Sequence, residues 1–183
     1  MGGPAGWLLI HAVFPLWIAA GLADWACHRA TRIERTGGLP ENLAHWLLFA
    51  QAGIAALAVA LLEINAAVLA LVAVVFVLHE LTVWLELRYV VARRPVRPIE
   101  QIVHSFQELM PLVMLALAAV IGWEQLLALL GRGAVAPDWG WHWKLEPLPP
   151  PVLATGAAAV VLFNALPLAQ ETWACLKARS AGA

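Results

Sequence analysis

Charge is what this sequence has least of. Only 13% of its 183 residues are Asp, Glu, Lys or Arg, against 62% hydrophobic side chains and a mean hydropathy of +0.78. A water-soluble domain of this size does not carry such a balance. The net charge of −1 leaves no basic excess for nucleic acid or acidic substrates, so those partner classes are set aside. Cysteine is nearly missing as well. Cys27 and Cys175 form no CxxC pattern and no disulfide framework, and they read as free thiols in a reducing compartment. A secretory leader is not visible either: Met1 to Gly6 carry no positive charge, and the first apolar stretch ends in Asp24, His28 and Arg29 instead of a small-residue cleavage site. That stretch is therefore expected to persist as a helix.

What remains is apolar sequence in blocks long enough to cross a bilayer, which takes roughly 20 residues of helix. The reading is an all-α integral membrane bundle, a single transmembrane domain over 1–183. Its spans are placed at about 7–29, 43–63, 66–91, 99–123 and 152–173. Pro40 and Pro98 suit the first turns of the second and fourth helices. Pro111 inside the fourth is tolerated as membrane helices tolerate proline. The segment 131–151 is rich in Trp, Gly and Pro, and Trp139, Trp141 and Trp143 fit an interfacial belt. Five spans put nine basic residues (Arg29, Arg32, Arg35, Arg88, Arg93, Arg94, Arg97, Lys177 and Arg179) on one face, and only Arg132 and Lys144 on the other. The expected setting is the bacterial inner membrane, N-terminus outside and C-terminus cytoplasmic.

The few ionisable residues inside the spans are not scattered. The first helix carries Asp24 and His28, the second Glu41 and His45, the third His79, Glu80 and Glu86, and the fourth Glu100, His104 and Glu108. Each such group costs a few kcal/mol in hydrocarbon unless paired, hydrated or metal-bound. Residues four apart share a helix face, and Asp24/His28, Glu41/His45, Glu100/His104 and His104/Glu108 all have that spacing. At ~1.5 Å per residue, His79 and Glu108 lie roughly 14 Å from the cytoplasmic ends of their helices, and Asp24, His45 and His104 roughly 7 to 10 Å. The first four helices are thus expected to form a ligand-bearing four-helix core with their polar stripes at one level.

Four histidines and up to six carboxylates are too many donors for one ion and about enough for two. Imidazole with carboxylate suits iron, manganese or zinc. The pattern resembles membrane di-iron enzymes of the desaturase and hydroxylase type in its histidine-bearing spans, and soluble ferritin-type di-iron bundles in its carboxylates. It departs from the former in lacking an HxxHH box. It departs from the latter in having Glu-x-x-x-His, at Glu41/His45 and Glu100/His104, where they have Glu-x-x-His. It is also similar to a family of small bacterial integral-membrane proteins with the motifs Ala23-Asp24-Trp25, His79-Glu80 and Glu100 to Glu108. That similarity covers helices 1 to 4 and supplies no activity.

The expectation is a site for two divalent metal ions, iron preferred and zinc or manganese as alternatives. It would serve an oxidase, hydroxylase or desaturase acting on a lipid-soluble substrate. No nucleotide or flavin motif is visible, so electrons would come from a donor protein or a quinone. Competing readings are a zinc-dependent lipid hydrolase, a divalent-metal or proton transporter, and haem ligation by histidine pairs. Within the cluster, Glu41 also reads as a first-turn carboxylate, Glu86 as an ion-pair partner of Arg88, and Glu80 as a group orienting His79. Glu34, Glu63, His11 and His142 are set aside as loop, turn or outer-face residues. The fifth helix, without a candidate ligand, reads as packing or an oligomer surface.

Overall fold

The computed structural model describes residues 3–181. Among them are six helices: α1 (Pro4–Thr31), α2 (Gly38–Leu61), α3 (Ala66–Val91), α4 (Pro98–Ile121), α5 (Trp123–Leu129) and α6 (Pro150–Ala181). All but the seven-residue α5 are long and apolar enough to cross a membrane. Pro4, Pro98 and Pro150 each open a helix at a position where the missing N–H has no intrahelical partner to lose. Asn65 starts α3, its Oδ1 accepting from the Val68 N–H at 3.1 Å. The fourth span ends at Ile121, two residues short of its expected limit. Gly122 breaks it there, and a Cβ at that position would press on the Ile64 carbonyl. The fifth span outruns its expected end by a further two turns, because the polar tail Gln170 to Ala181 is made of good helix formers that need no apolar face.

The helices close into a ring. α1 packs on α4, α4 on α3, α3 on α2, α2 on α6, and α6 returns to α1. The four helices that carry the candidate residues do surround one centre, and α6 completes the wall between α1 and α2.

Burial in this ring runs opposite to that of a soluble protein. Leu47, Ile54, Leu57, Val77, Leu81 and Leu109 are exposed on the outer faces, while the most enclosed side chains include His28, Glu41, Asn42 and Glu100. An apolar exterior around a polar interior is stable when the surrounding solvent is hydrocarbon. The interior itself is divided. Toward the Asn65 end it is a dry core of Leu9, Ala58, Val59, Val68, Leu69, Val72 and Ala118. Toward the end that carries most of the arginines it is polar.

The Trp-rich segment folds back over the α2–α3 turn. Trp143 pairs with Leu62 in an isolated antiparallel bridge, Glu63 N–H donates to the His142 carbonyl at 2.9 Å, and Asn65 Nδ2 donates to Asp138 and to the Gly140 carbonyl. The Gly140 N–H and the Asn65 amide hold the Asp138 carboxyl below its usual range. Partial burial lowers the Lys144 ammonium, whose Nζ donates to the Leu62 carbonyl. Glu63, expected as a turn feature, accepts from Leu145 N–H at 2.7 Å and belongs to this outer cap.

Candidate functional site

The polar stripes of α1 to α4 converge. Asp24, His28, His45, His79, Glu86, His104 and Glu108 all border one cavity of about 110 Å³ inside the ring, as the four-apart spacing required. His104 Nε2 lies 3.0 Å from Asp24 Oδ1, His28 Nε2 3.4 Å from the same oxygen, and His45 Nε2 3.6 Å from Glu86 Oε1. The rings of His28 and His45 stack, centroids 4.7 Å apart and planes at 14°. Three sets of donor atoms are close enough to share an ion: Asp24/His28/His45, His28/Glu100/His104 and Glu41/His45/Glu86, each within 4.8 Å of one another.

His28 is the most informative of these residues. Its Nδ1 meets Glu171 Oε1 at 3.2 Å, and its Nε2, fully buried, has no hydrogen-bond partner. Carboxylate oxygens thus stand at both ends of the ring: Glu171 Oε1 at Nδ1 and Asp24 Oδ1 3.4 Å from Nε2. Glu171 is itself held by Asn42, whose Nδ2 donates to Oε2 at 3.4 Å, while Asn42 Oδ1 accepts from Thr172 Oγ1 at 2.8 Å. The fifth span, read from sequence as packing or an oligomer surface, therefore supplies a buried carboxylate to the cluster. A faint signal lies in its spacing: Asn164 and Glu171 are seven apart and share one face of the helix.

Glu41 and Glu100 behave differently from the rest. Neither borders the cavity; both are claimed by Arg94 from the α3–α4 connection. Its Nη2 donates to Glu41 Oε1 at 2.6 Å, its Nη1 to Glu100 Oε2 at 3.0 Å, and all three side chains are at most 2% exposed. Burial works against the guanidinium charge, but the hydrogen bonds and charges of Glu100 and Glu41 outweigh it and hold the pKa above its usual value. Glu41 Oε1 and Glu100 Oε1 still stand 3.9 Å from His28 Nε2. Arg94, counted in the sequence as one of several boundary arginines, is thus a cation built into the cluster.

The remaining candidates fall into place around this centre. Glu86 turns to His45 and away from the Arg88 partner that its sequence position suggested, while Arg88 stacks over Trp84. His79 is buried with Nδ1 unpartnered, at the boundary between the polar cavity and a second, apolar one of about 30 Å³ that it shares with Trp17 and Ala52. Glu80 does not border the cavity; it is half-buried, with Oε1 lacking a hydrogen-bond partner and Glu108 as its charged neighbour. His11 and His142 lie exposed and apart from the cluster.

Compared with protein-family models, curated proteins and solved structures, the chain finds no match in any of the three. Functional reading therefore rests on the chemistry of the cluster.

Proposed function

We propose that the cluster is a dinuclear metal centre, with iron preferred over zinc or manganese. In this reading the protein is a membrane oxidoreductase of the oxidase, hydroxylase or desaturase kind, acting on a lipid-soluble substrate. The observation that carries the proposal is His28: a buried imidazole with one nitrogen anchored to a carboxylate and the other unpaired among carboxylate oxygens. That is how metal-ligating histidines are held.

The donor set fits such a group. Atoms sharing one ion at ~2.0–2.2 Å lie roughly 3 to 3.5 Å apart, close to the 3.0 to 3.6 Å separations between the three Nε2 atoms and their carboxylate neighbours. Two of the three donor sets, His28/Glu100/His104 and Glu41/His45/Glu86, have no residue in common, which favours two ions over one. Asp24, near His28, His45 and His104, suits a position between them. The stacked His28 and His45 rings, centroids 4.7 Å apart, bring two imidazoles from different helices to one place. Carboxylates buried beyond what Arg94 neutralises also gain from bound cations.

Such a centre, when loaded, supplies dioxygen activation with electrons from a donor protein or a quinone. The chain's own residues do the rest. His28, His45 and His104 with Asp24, Glu86, Glu41 and Glu100 would hold the ions, and Glu171 anchors His28 through Nδ1. Arg94 keeps Glu41 and Glu100 in place, and the apolar walls of the ring keep bulk water out. The transporter reading is disfavoured by the far side of His79, where Val72, Val75 and Met114 line the continuing cavity with no polar path.

Elemental analysis of protein purified without chelator from iron-replete cells tests the proposal. About two irons per chain are expected. Zinc in their place would redirect the reading to lipid hydrolysis, and metal-free protein would overturn it.

A further inference from the structure

The cavity has a second polar wall that metal ligation does not use. On the α1–α6 side, Asn164 Oδ1 and Trp25 Nε1 are both buried, both without a hydrogen-bond partner, and both residues border the cavity. An acceptor and a donor left unpaired inside a membrane bundle each cost free energy, of order 1–3 kcal/mol per group, unless something bound there satisfies them.

The local backbone is arranged around this pair. Asn164 lies in a π-helical turn, Val161–Ala165, and such turns inside α-helices are frequent at functional sites. Its Nδ2 donates to the Ile18 carbonyl of α1 at 3.2 Å, which fixes the amide so that Oδ1 is the free end. Gly21 makes room for it, since a Cβ there would collide with the Asn164 amide. Trp25 is one turn further along α1 on the same face as Gly21.

Charge and size narrow what fits. Asp24, Glu86, Glu108 and Glu171 border the cavity and no Lys or Arg does, so the chain has no cation of its own on this wall to hold a carboxylate or phosphate. A bare hydrocarbon would leave both groups unpaired. A hydroxyl offers what each lacks, a lone pair for the Trp25 N–H and a proton for Asn164 Oδ1. Engineered cavities of about 150 Å³ hold one benzene ring, so a 110 Å³ chamber takes the end of a chain and not a ring system with substituents. The apolar annex beyond His79, lined by Ala55, Ala56, Val72 and Met114, accommodates one or two methylenes more.

We infer that Asn164 and Trp25 form a binding site for the hydroxyl of a straight-chain lipid alcohol. The inference deepens the proposed function by naming a substrate class, and rests on it only for the chemistry that follows binding.

A long-chain primary alcohol bearing a photoreactive diazirine, added to the purified full-length protein in lipid nanodiscs, tests it. Crosslinks mapped by mass spectrometry should concentrate on the α1 and α6 peptides holding Trp25 and Asn164. 1-Dodecanol should compete and dodecane should not. Asn164→Leu should reduce labelling about tenfold, the value of one buried hydrogen bond. Because Asn164 also ties α6 to α1, Trp25→Phe provides a second variant that removes the indole N–H, which has no hydrogen-bond partner within the chain, while keeping an aromatic ring, with a similar loss expected and the metal content unchanged. Labelling spread evenly over lipid-facing residues, competition by dodecane equal to that by dodecanol, or labelling indifferent to both variants would overturn the inference. Specific labelling of protein that purifies without metal from iron-replete cells in the absence of chelator would sink the dinuclear proposal and leave the alcohol site standing.

Discussion

Arg94 sits in a run with Arg93 and Arg97, and nothing in that run distinguishes it from an ordinary boundary arginine. In the fold its neighbours are exposed while it is 5% exposed and bound to two buried carboxylates. Removing it strands both. Arg94→Ala is expected to cost roughly 3–5 kcal/mol, read as a lowered unfolding midpoint in detergent. Arg94→Lys should recover only part of this, because a point-charge ammonium does not reproduce the guanidinium fork across Glu41 and Glu100. Glu171 is a milder case. Glu171→Gln keeps the shape but weakens the anchor of His28, and a ~10–100-fold loss of metal affinity is expected from a metal-binding titration. The histidines and carboxylates of α1 to α4 were legible in the sequence because helical periodicity alone aligns residues four apart. The partners of Arg94 and Glu171 were not: Glu41 and His28 are reached across tens of residues of chain by packing, and Glu100, close in sequence to Arg94, meets it only because the α3–α4 connection folds inward.

At the scale of helices, the site depends on α6 closing the ring. Gly21 allows the approach of α6 to α1, and Gly21→Leu is expected to destabilise the protein by about 1–3 kcal/mol through overpacking. It should also lower metal retention, because Glu171 rides on the displaced helix. A purely local effect would lower stability while leaving metal content intact, and parallel unfolding and elemental measurements separate the two. This dependence was nearly invisible in the sequence: the apolar first half of α6 is what any lipid-facing span shows, and the seven-residue spacing of Asn164 and Glu171 becomes meaningful only against α1 and α2. The ends of the spans were legible where proline or a capping side chain sets them, as at Pro98 and Asn65. They were less so at Gly122, where a tertiary contact with Ile64 makes the break.

The whole molecule is an apolar ring around a polar chamber, and the distribution of arginines at one end is what would orient it. A fluorescent-protein fusion at the C-terminus is expected to fluoresce in a bacterial host, and one at the N-terminus to stay dark after export; the reverse pattern would invert the orientation. On the proposed reading, the imidazoles and carboxylates of the chamber face one another because two cations belong between them. Anaerobic titration of ferrous iron into chelator-stripped protein in nanodiscs measures this most directly. Saturation at two ions per chain is expected, falling to one or none when His28 and His45 are both replaced by Ala. Absence of saturable uptake, or a titration unchanged by that double substitution, would contradict it.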